Sequence, residues 1–149
     1  MTPVEPNLLG VSIWHTRPLP AADSLARRCR RLGAEVVIAP ALAIEPLLPG
    51  EQGWQRSQAL IAQLDAYAHV IFISGNAVHW GLQAIGAVWA DWPESCRCYA
   101  IGPTTEGLLA DAGIVARRAE GQAMNSEALL RLPELQRLSG QRVLIVRGV

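Results

Sequence analysis

The sequence predicts an α/β fold built on parallel sheets, and two observations carry that prediction. Short apolar runs alternate along the chain with longer segments of helical periodicity. The runs themselves are almost continuously apolar, as in residues 69–74 (HVIFIS). Strands that alternate with helices imply parallel pairing through crossover connections. Strands apolar at successive positions imply a sheet buried on both faces.

Each element follows in order. Residues 10–16 form the first run, with Val11, Ile13 and His15 on one face and Ser12, Trp14 and Thr16 on the other. Arg17-Pro18-Leu19-Pro20 turns the chain. Ala22, Leu25, Ala26, Cys29 and Leu32 recur at helical spacing, predicting a helix over 21–32 that Gly33 closes. Residues 35–39 (EVVIA) read as the second strand. The passage 40–50 carries Pro40, Pro46 and Pro49 and reads as a linker or domain boundary. A helix over 54–64 precedes the strand 69–74, and Gly75-Asn76 turns into a helix bearing Val78, Leu82, Ile85 and Trp89. A strand over 97–101, the turn Gly102-Pro103 and a helix over 104–112 come next. A short strand over 114–117, a helix over 125–132 with polar residues at its start, and a strand over 143–146 complete the order.

Composition narrows the function classes. The chain of 149 residues is 50% hydrophobic and 17% charged, which excludes intrinsic disorder. Lys+Arg and Asp+Glu balance at 13 each, without the basic excess of a nucleic-acid binder. Arg27, Arg28, Arg30 and Arg31 cluster late in the first helix, where cations complement the helix dipole. Cys29, Cys96 and Cys98 are odd in number and form no CxxC, so they read as one core thiol and two strand-edge thiols rather than a disulfide framework or metal site. His15, His69 and His79 lack metal-ligand spacing. No signal peptide and no run long enough to span a membrane is visible, which predicts a soluble cytoplasmic protein without membrane partners.

In open α/β sheets the ligand site lies beyond the carboxyl ends of the strands. Those ends carry Thr16-Arg17-Pro18, Ser74-Gly75-Asn76-Ala77, Gly102-Pro103-Thr104-Thr105, Met124-Asn125-Ser126 and Arg147-Gly148. Helix N-termini there offer unpaired N–H groups and partial positive charge, which suit carboxylates or phosphates. The same Ser, Thr and Asn residues also serve simply as helix caps. Arg17 and Arg147 have no capping role at strand ends and suit anion binding or a surface ion pair. No GxSxG, HExxH, Walker or GxGxxG motif occurs, and no catalytic triad or carboxylate pair stands out. Residue by residue, the reading is an α/β domain that binds an anion at its strand ends.

Taken as an ordered set, these turns resemble the uroporphyrinogen-III synthase family. The resemblance rests on Thr16-Arg17-Pro18, on Leu-Gly-Ala-Glu-Val at 32–36, on PALAIEP at 40–46, on Val70 through Val78 (VIFISGNAV), on Ala100 through Thr105, on Ser126-Glu127-Ala128-Leu129-Leu130 and on Val143 through Gly148. It implies flavodoxin-like lobes in a two-lobe fold with substrate in the cleft between them. On that template residues 1–39 open the first lobe and 40–149 form the linker and most of the second. The rest of the first lobe, and a tyrosine near the return linker, would follow residue 149. The chain alone would then be incomplete, inactive, and prone to aggregate through open strand edges.

The implied reaction cyclises hydroxymethylbilane to uroporphyrinogen III, with loss of water and inversion of the last ring, in porphyrin and heme biosynthesis. It needs no cofactor. The full-length form would be a monomer, with the upstream pathway enzyme as a candidate partner. The implied substrate contacts are Thr16, Arg17, Ser74, Gly75, Asn76, Ala77, Gly102, Pro103, Thr104, Thr105, Ser126 and Arg147, with Ser74 and Thr105 foremost. Two positions depart from the pattern: Ile73 stands where threonine is usual, and Glu106 where alanine is usual. Glu106 is expected in a first helical turn, where an acid is favoured. The competing readings are a non-catalytic remnant of the enzyme and a flavodoxin-like anion-binding module.

Overall fold

A computed structural model describes residues 7–18, 21–119, 121 and 125–148, without the side chains of 21–23. Leu19, Pro20, the Ala22 side chain and Met124 of the sequence reading lie outside the described residues. The chain divides into two compact units between Glu45 and Pro46, within the proline-bearing passage.

The first unit contains strand β1 (Ser12–His15), helix α1 (Ala21–Arg31) and strand β2 (Glu35–Ile38). The strands pair in parallel, Ser12 opposite Glu35 and His15 opposite Ile38. Because side chains alternate along a strand, Ile13, Val36 and Ile38 share the face that packs with Ala26, Cys29 and Ala34. The opposite face carries Trp14, 77% exposed, and Val37, 43% exposed. Helix α1 ends at Gly33, whose φ of +96° only glycine adopts cheaply. There the Gly33 N–H donates to Arg30 O and the Ala34 N–H to Cys29 O, closing the helix as the sequence predicts. Beyond any effect on the helix dipole, the Arg30 guanidinium donates to the carbonyl of Val36 at 2.9 Å.

The second unit holds helix α2 (Trp54–Ile61), strand β3 (His69–Phe72), helix α3 (Gly75–Gly86), strand β4 (Arg97–Ala100), helix α4 (Pro103–Asp111), strand β5 (Ala116–Arg117), helix α5 (Ser126–Leu130) and strand β6 (Val143–Val146). Its sheet has the order β5-β4-β3-β6, parallel throughout. The predicted element order is therefore observed, with short 3-10 turns added at Leu64–Ala66 and Pro133–Leu135. Element ends differ from prediction. Helix α3 starts at Gly75, because Ser74 caps it, and α4 starts at Pro103, which suits a first helical position. Strand β5 shortens to two residues, with Val115 left 90% exposed.

Strand alternation sorts the core into two layers. Val70, Phe72, Cys98, Ala100, Leu144 and Val146 meet the helical layer through Val78, Ile85 and Leu109. Ile71, Tyr99 and Val143 point to the other side, where Leu129 and Leu135 cover them. That second cover thins at the edge, and Ile145 is 55% exposed. Helix α3 approaches the first layer closely: a Cβ on Gly81 would sit 2.6 Å from Val146 Cγ1 and 3.1 Å from Phe72 Cε1.

The cysteines depart from expectation. Cys96 and Cys98 are the core thiols, and Cys29 is only partly buried. The Cys96 thiol donates to the carbonyls of Leu64 and Tyr67 at 3.0 and 3.1 Å, which tie the preceding 3-10 turn to the start of β4. Burial pushes the Cys98 thiol up to about 12. Among the described residues no group of three or more His, Cys, Asp and Glu could hold a metal, and no helix is long and apolar enough to cross a membrane.

Candidate functional site

Parallel register brings three of the candidate turns to one edge of the second sheet. Beyond the carboxyl end of β3, the Ile73 N–H bonds Val146 O of β6, and the Ile101 N–H after β4 bonds Phe72 O. Residues 74–77, 102–105 and Arg147 therefore follow adjacent strands, β3, β4 and β6, on the same edge.

The first turn is built by Ser74. Its backbone is extended, at φ −163° and ψ 166°, and its Oγ accepts from the Ala77 N–H at 3.1 Å. That hydroxyl thus satisfies one of the orphan amides of α3, while the Gly75 and Asn76 amides have no partner within the helix. Gly75 lies close to the next helix, since a Cβ there would meet Leu108 Cδ1 at 3.1 Å. Ala77 is buried, and Ser74, Gly75 and Asn76 are half-buried.

The second turn has no such cap. Gly102 precedes α4 without a side-chain acceptor, and Pro103 brings no N–H. The Thr104 and Thr105 amides are left as the open donors of this terminus, since the Glu106 N–H already reaches Gly102 O. Thr104 is exposed. Thr105 is 5% exposed, one turn ahead of the fully buried Leu109 on the inward face of the helix. Of the foremost pair, then, Ser74 accepts the Ala77 amide while keeping its O–H as a donor, and Thr105 turns inward.

The remaining candidates make other contacts. Arg147 is exposed and donates from Nε to the carbonyl of Gly148 at 3.0 Å. Ser126 is exposed at the start of α5, but the cap there is Asn125, whose Oδ1 accepts from the Ala128 N–H at 2.9 Å. Thr16 and Arg17 belong to the first unit, exposed just past β1, with Thr16 O accepting from the Ala41 N–H.

Three features escaped the sequence reading. Glu106 does sit in the first turn of α4, and it pairs with Arg118, Nε to Oε2 at 2.6 Å. Arg117 pairs with Glu134, the amide of Glu134 and then Arg117 holding that carboxyl below the usual range. A groove of about 700 Å³ runs along these side chains, whereas two smaller hollows lie against Arg27 and Arg31 and against Arg137. Packing of α4 places residue 106 beside 118, and the Pro133–Leu135 turn places residue 134 beside 117, so no sequence pattern announces either pair. His15 is the third. It is 5% exposed, and neither ring nitrogen has a hydrogen-bond partner among the described residues. By contrast, the fully buried His69 is satisfied on both sides, by Tyr99 OH at 3.0 Å and Gln141 Oε1 at 2.6 Å. The amide oxygen can only accept, so His69 Nε2 carries the proton and Nδ1 accepts from the tyrosine.

This geometry offers N–H and guanidinium donors to an anion. A family profile described as uroporphyrinogen-III synthase HemD matches residues 23–149. The chain belongs to the uroporphyrinogen-III synthase family. It is 34% identical over 138 residues to the uroporphyrinogen-III synthase of Salmonella typhimurium strain LT2, covering 93% of this chain and 54% of that protein. The Escherichia coli K12 synthase is 33% identical with the same coverage. That of Proteus mirabilis is 28% identical over 140 residues, covering 93% of this chain and 67% of its own. The chain spans about half the length of the first two curated relatives. Within this synthase family, the α/β architecture and parallel sheets are as the resemblance implied.

Proposed function

We propose that the protein is a uroporphyrinogen-III synthase that folds hydroxymethylbilane and closes it with loss of water and inversion of the last ring. The observation that carries this reading is the alignment, on one sheet edge of a family member, of two helix starts with open amides beside Arg147. Acetate and propionate arms need such donors, and a flexible chain must be held with its ends together before they can join. Loss of the hydroxyl leaves a cationic azafulvene, which negative groups nearby would stabilise. Residues 74–77, 102–105 and Arg147 would hold carboxylates by backbone and guanidinium donors, with Thr16, Arg17 and Ser126 as outlying candidates. In the family's terms, residues 1–39 open the first lobe and 40–149 supply the linker and most of the second. Three cysteines without a disulfide favour a reducing compartment such as the cytoplasm.

The test is to give the purified protein hydroxymethylbilane and separate the product isomers. Type III isomer above the spontaneous background supports the synthase. Bilane bound but released only as the type I isomer would favour an anion-binding module. Failure to bind the bilane would remove both.

A further inference from the structure

The groove is lined by Glu106, which stands in the first turn of α4 directly after the open Thr104 and Thr105 amides. It brings together Arg117, Arg118 and Arg131 with only two carboxylates, Glu106 and Glu134. Arg117 is committed to Glu134. Arg118 is one-third exposed, with Nε on Glu106 and Nη1 on the carbonyl of Ala119 at 3.1 Å. Its Nη2 makes no hydrogen bond to a described residue. Glu106 follows directly on Thr104 and Thr105, whose amides are open, so the ion pair borders the helix start that a carboxylate would reach.

We propose that Arg118 is a further substrate-carboxylate contact and that Glu106 is its resident competitor. In the free protein Glu106 occupies the guanidinium; a bound carboxylate arm takes its place, and Glu106 swings to solvent at the first helical turn. This deepens the polycarboxylate reading above and rests on it. A guanidinium suits the role because its planar fork matches a carboxylate in two parallel bonds. A one-third exposed ion pair is held weakly enough to exchange.

The two partners then have opposite effects. With uroporphyrin, a fluorescent octacarboxylate, titrated into the protein in physiological salt, Arg118→Gln should weaken binding about tenfold, as loss of a charge-assisted pair implies. Glu106→Gln should tighten it by about threefold, since the competitor is removed but its neutral amide still fits. Glu94→Gln and Arg56→Gln, which change the same charges outside the groove lining, should move binding by less than about twofold under screening. Equal effects from these control variants, or weakening by both Glu106→Gln and Arg118→Gln, would overturn the proposal, as would absence of uroporphyrin binding. Loss of type III product with porphyrin binding and the opposed effects intact would sink the synthase reading and leave the groove standing.

Discussion

Ser74 follows β3 and Cys98 lies in the adjoining strand β4, yet polar chemistry governs one and burial the other. The Ser74 Oγ accepts the Ala77 amide and fixes where α3 begins. Replacing it with alanine should cost about 1 kcal/mol, the usual worth of a serine cap. Urea unfolding measures this directly, and an unchanged midpoint would show that the cap is idle. Cys98 is 3% exposed, and its thiol is pushed up to about 12 by burial. Burial also raises Cys96 and Tyr99, the latter with help from the Glu134 charge. A raised acid pKa means that the folded state holds its proton longer than the unfolded chain does. The stabilising contribution is complete below the unfolded thiol value of 9.0 and is lost as pH rises toward 12. Stability should therefore fall as pH climbs above that lower value, at about 1.4 kcal/mol per unit for each such thiol. The decline should be shallower in Cys98→Ala, measured by denaturation across that window; an identical slope would remove Cys98 as its cause.

At the scale of elements, the seat of α3 on the sheet decides how the candidate turns are spaced. Gly81 lets this helix approach Val146 and Phe72, and a methyl group there would meet Val146 at 2.6 Å. Alanine is the better helix former, so propensity alone predicts that Gly81→Ala stabilises. Crowding against a packed sheet predicts the reverse, by about 1–3 kcal/mol. The close contact wins, because Val146 sits in the same packed cluster as Phe72 and has little room to withdraw. Thermal unfolding gives the sign, and a raised midpoint would mean that the helix shifts at little cost. Helix α5 is held differently. It has a single turn or so, and its position depends on Leu129 packing against Tyr99 rather than on its own hydrogen bonds.

For the whole molecule, the two units differ in what they cover. The second has helices or short turns over both faces of a four-stranded sheet. The first has one helix on a two-stranded sheet, with Trp14 and Val37 open on the other face. Two strands and one helix bury little, so this unit should open first. Hydrogen exchange should show weaker protection at Ile13, Val36 and Ile38 than at Val70, Phe72 and Tyr99. Equal protection would mean that the units unfold together. The exposed tryptophan should also drive self-association. Trp14→Lys should shift the elution of concentrated protein toward smaller size; no shift would place the contact elsewhere.

Much of this was written in the sequence itself. Apolar runs such as HVIFIS, the glycines and prolines between them, and the polar residues before helices fix which segments are strands, where they turn and in what order. Those are local properties, set by side-chain period and backbone freedom within a few residues. The ordered turns were also enough to point to the family. Tertiary structure alone decided the rest. Ser74 became a cap and Thr105 turned inward because helix phase, counted from the observed starts at Gly75 and Pro103, assigns each residue its side. Cys98 became a core thiol because the β3–β4 pairing buries that strand, and Cys96 because its thiol docks on the carbonyls of Leu64 and Tyr67. The pairing of Glu106 with Arg118 and of Arg117 with Glu134 required helix α4 and the Pro133–Leu135 turn to pack beside the end of β5. Contacts between residues distant in sequence depend on register and packing, and no local period encodes them.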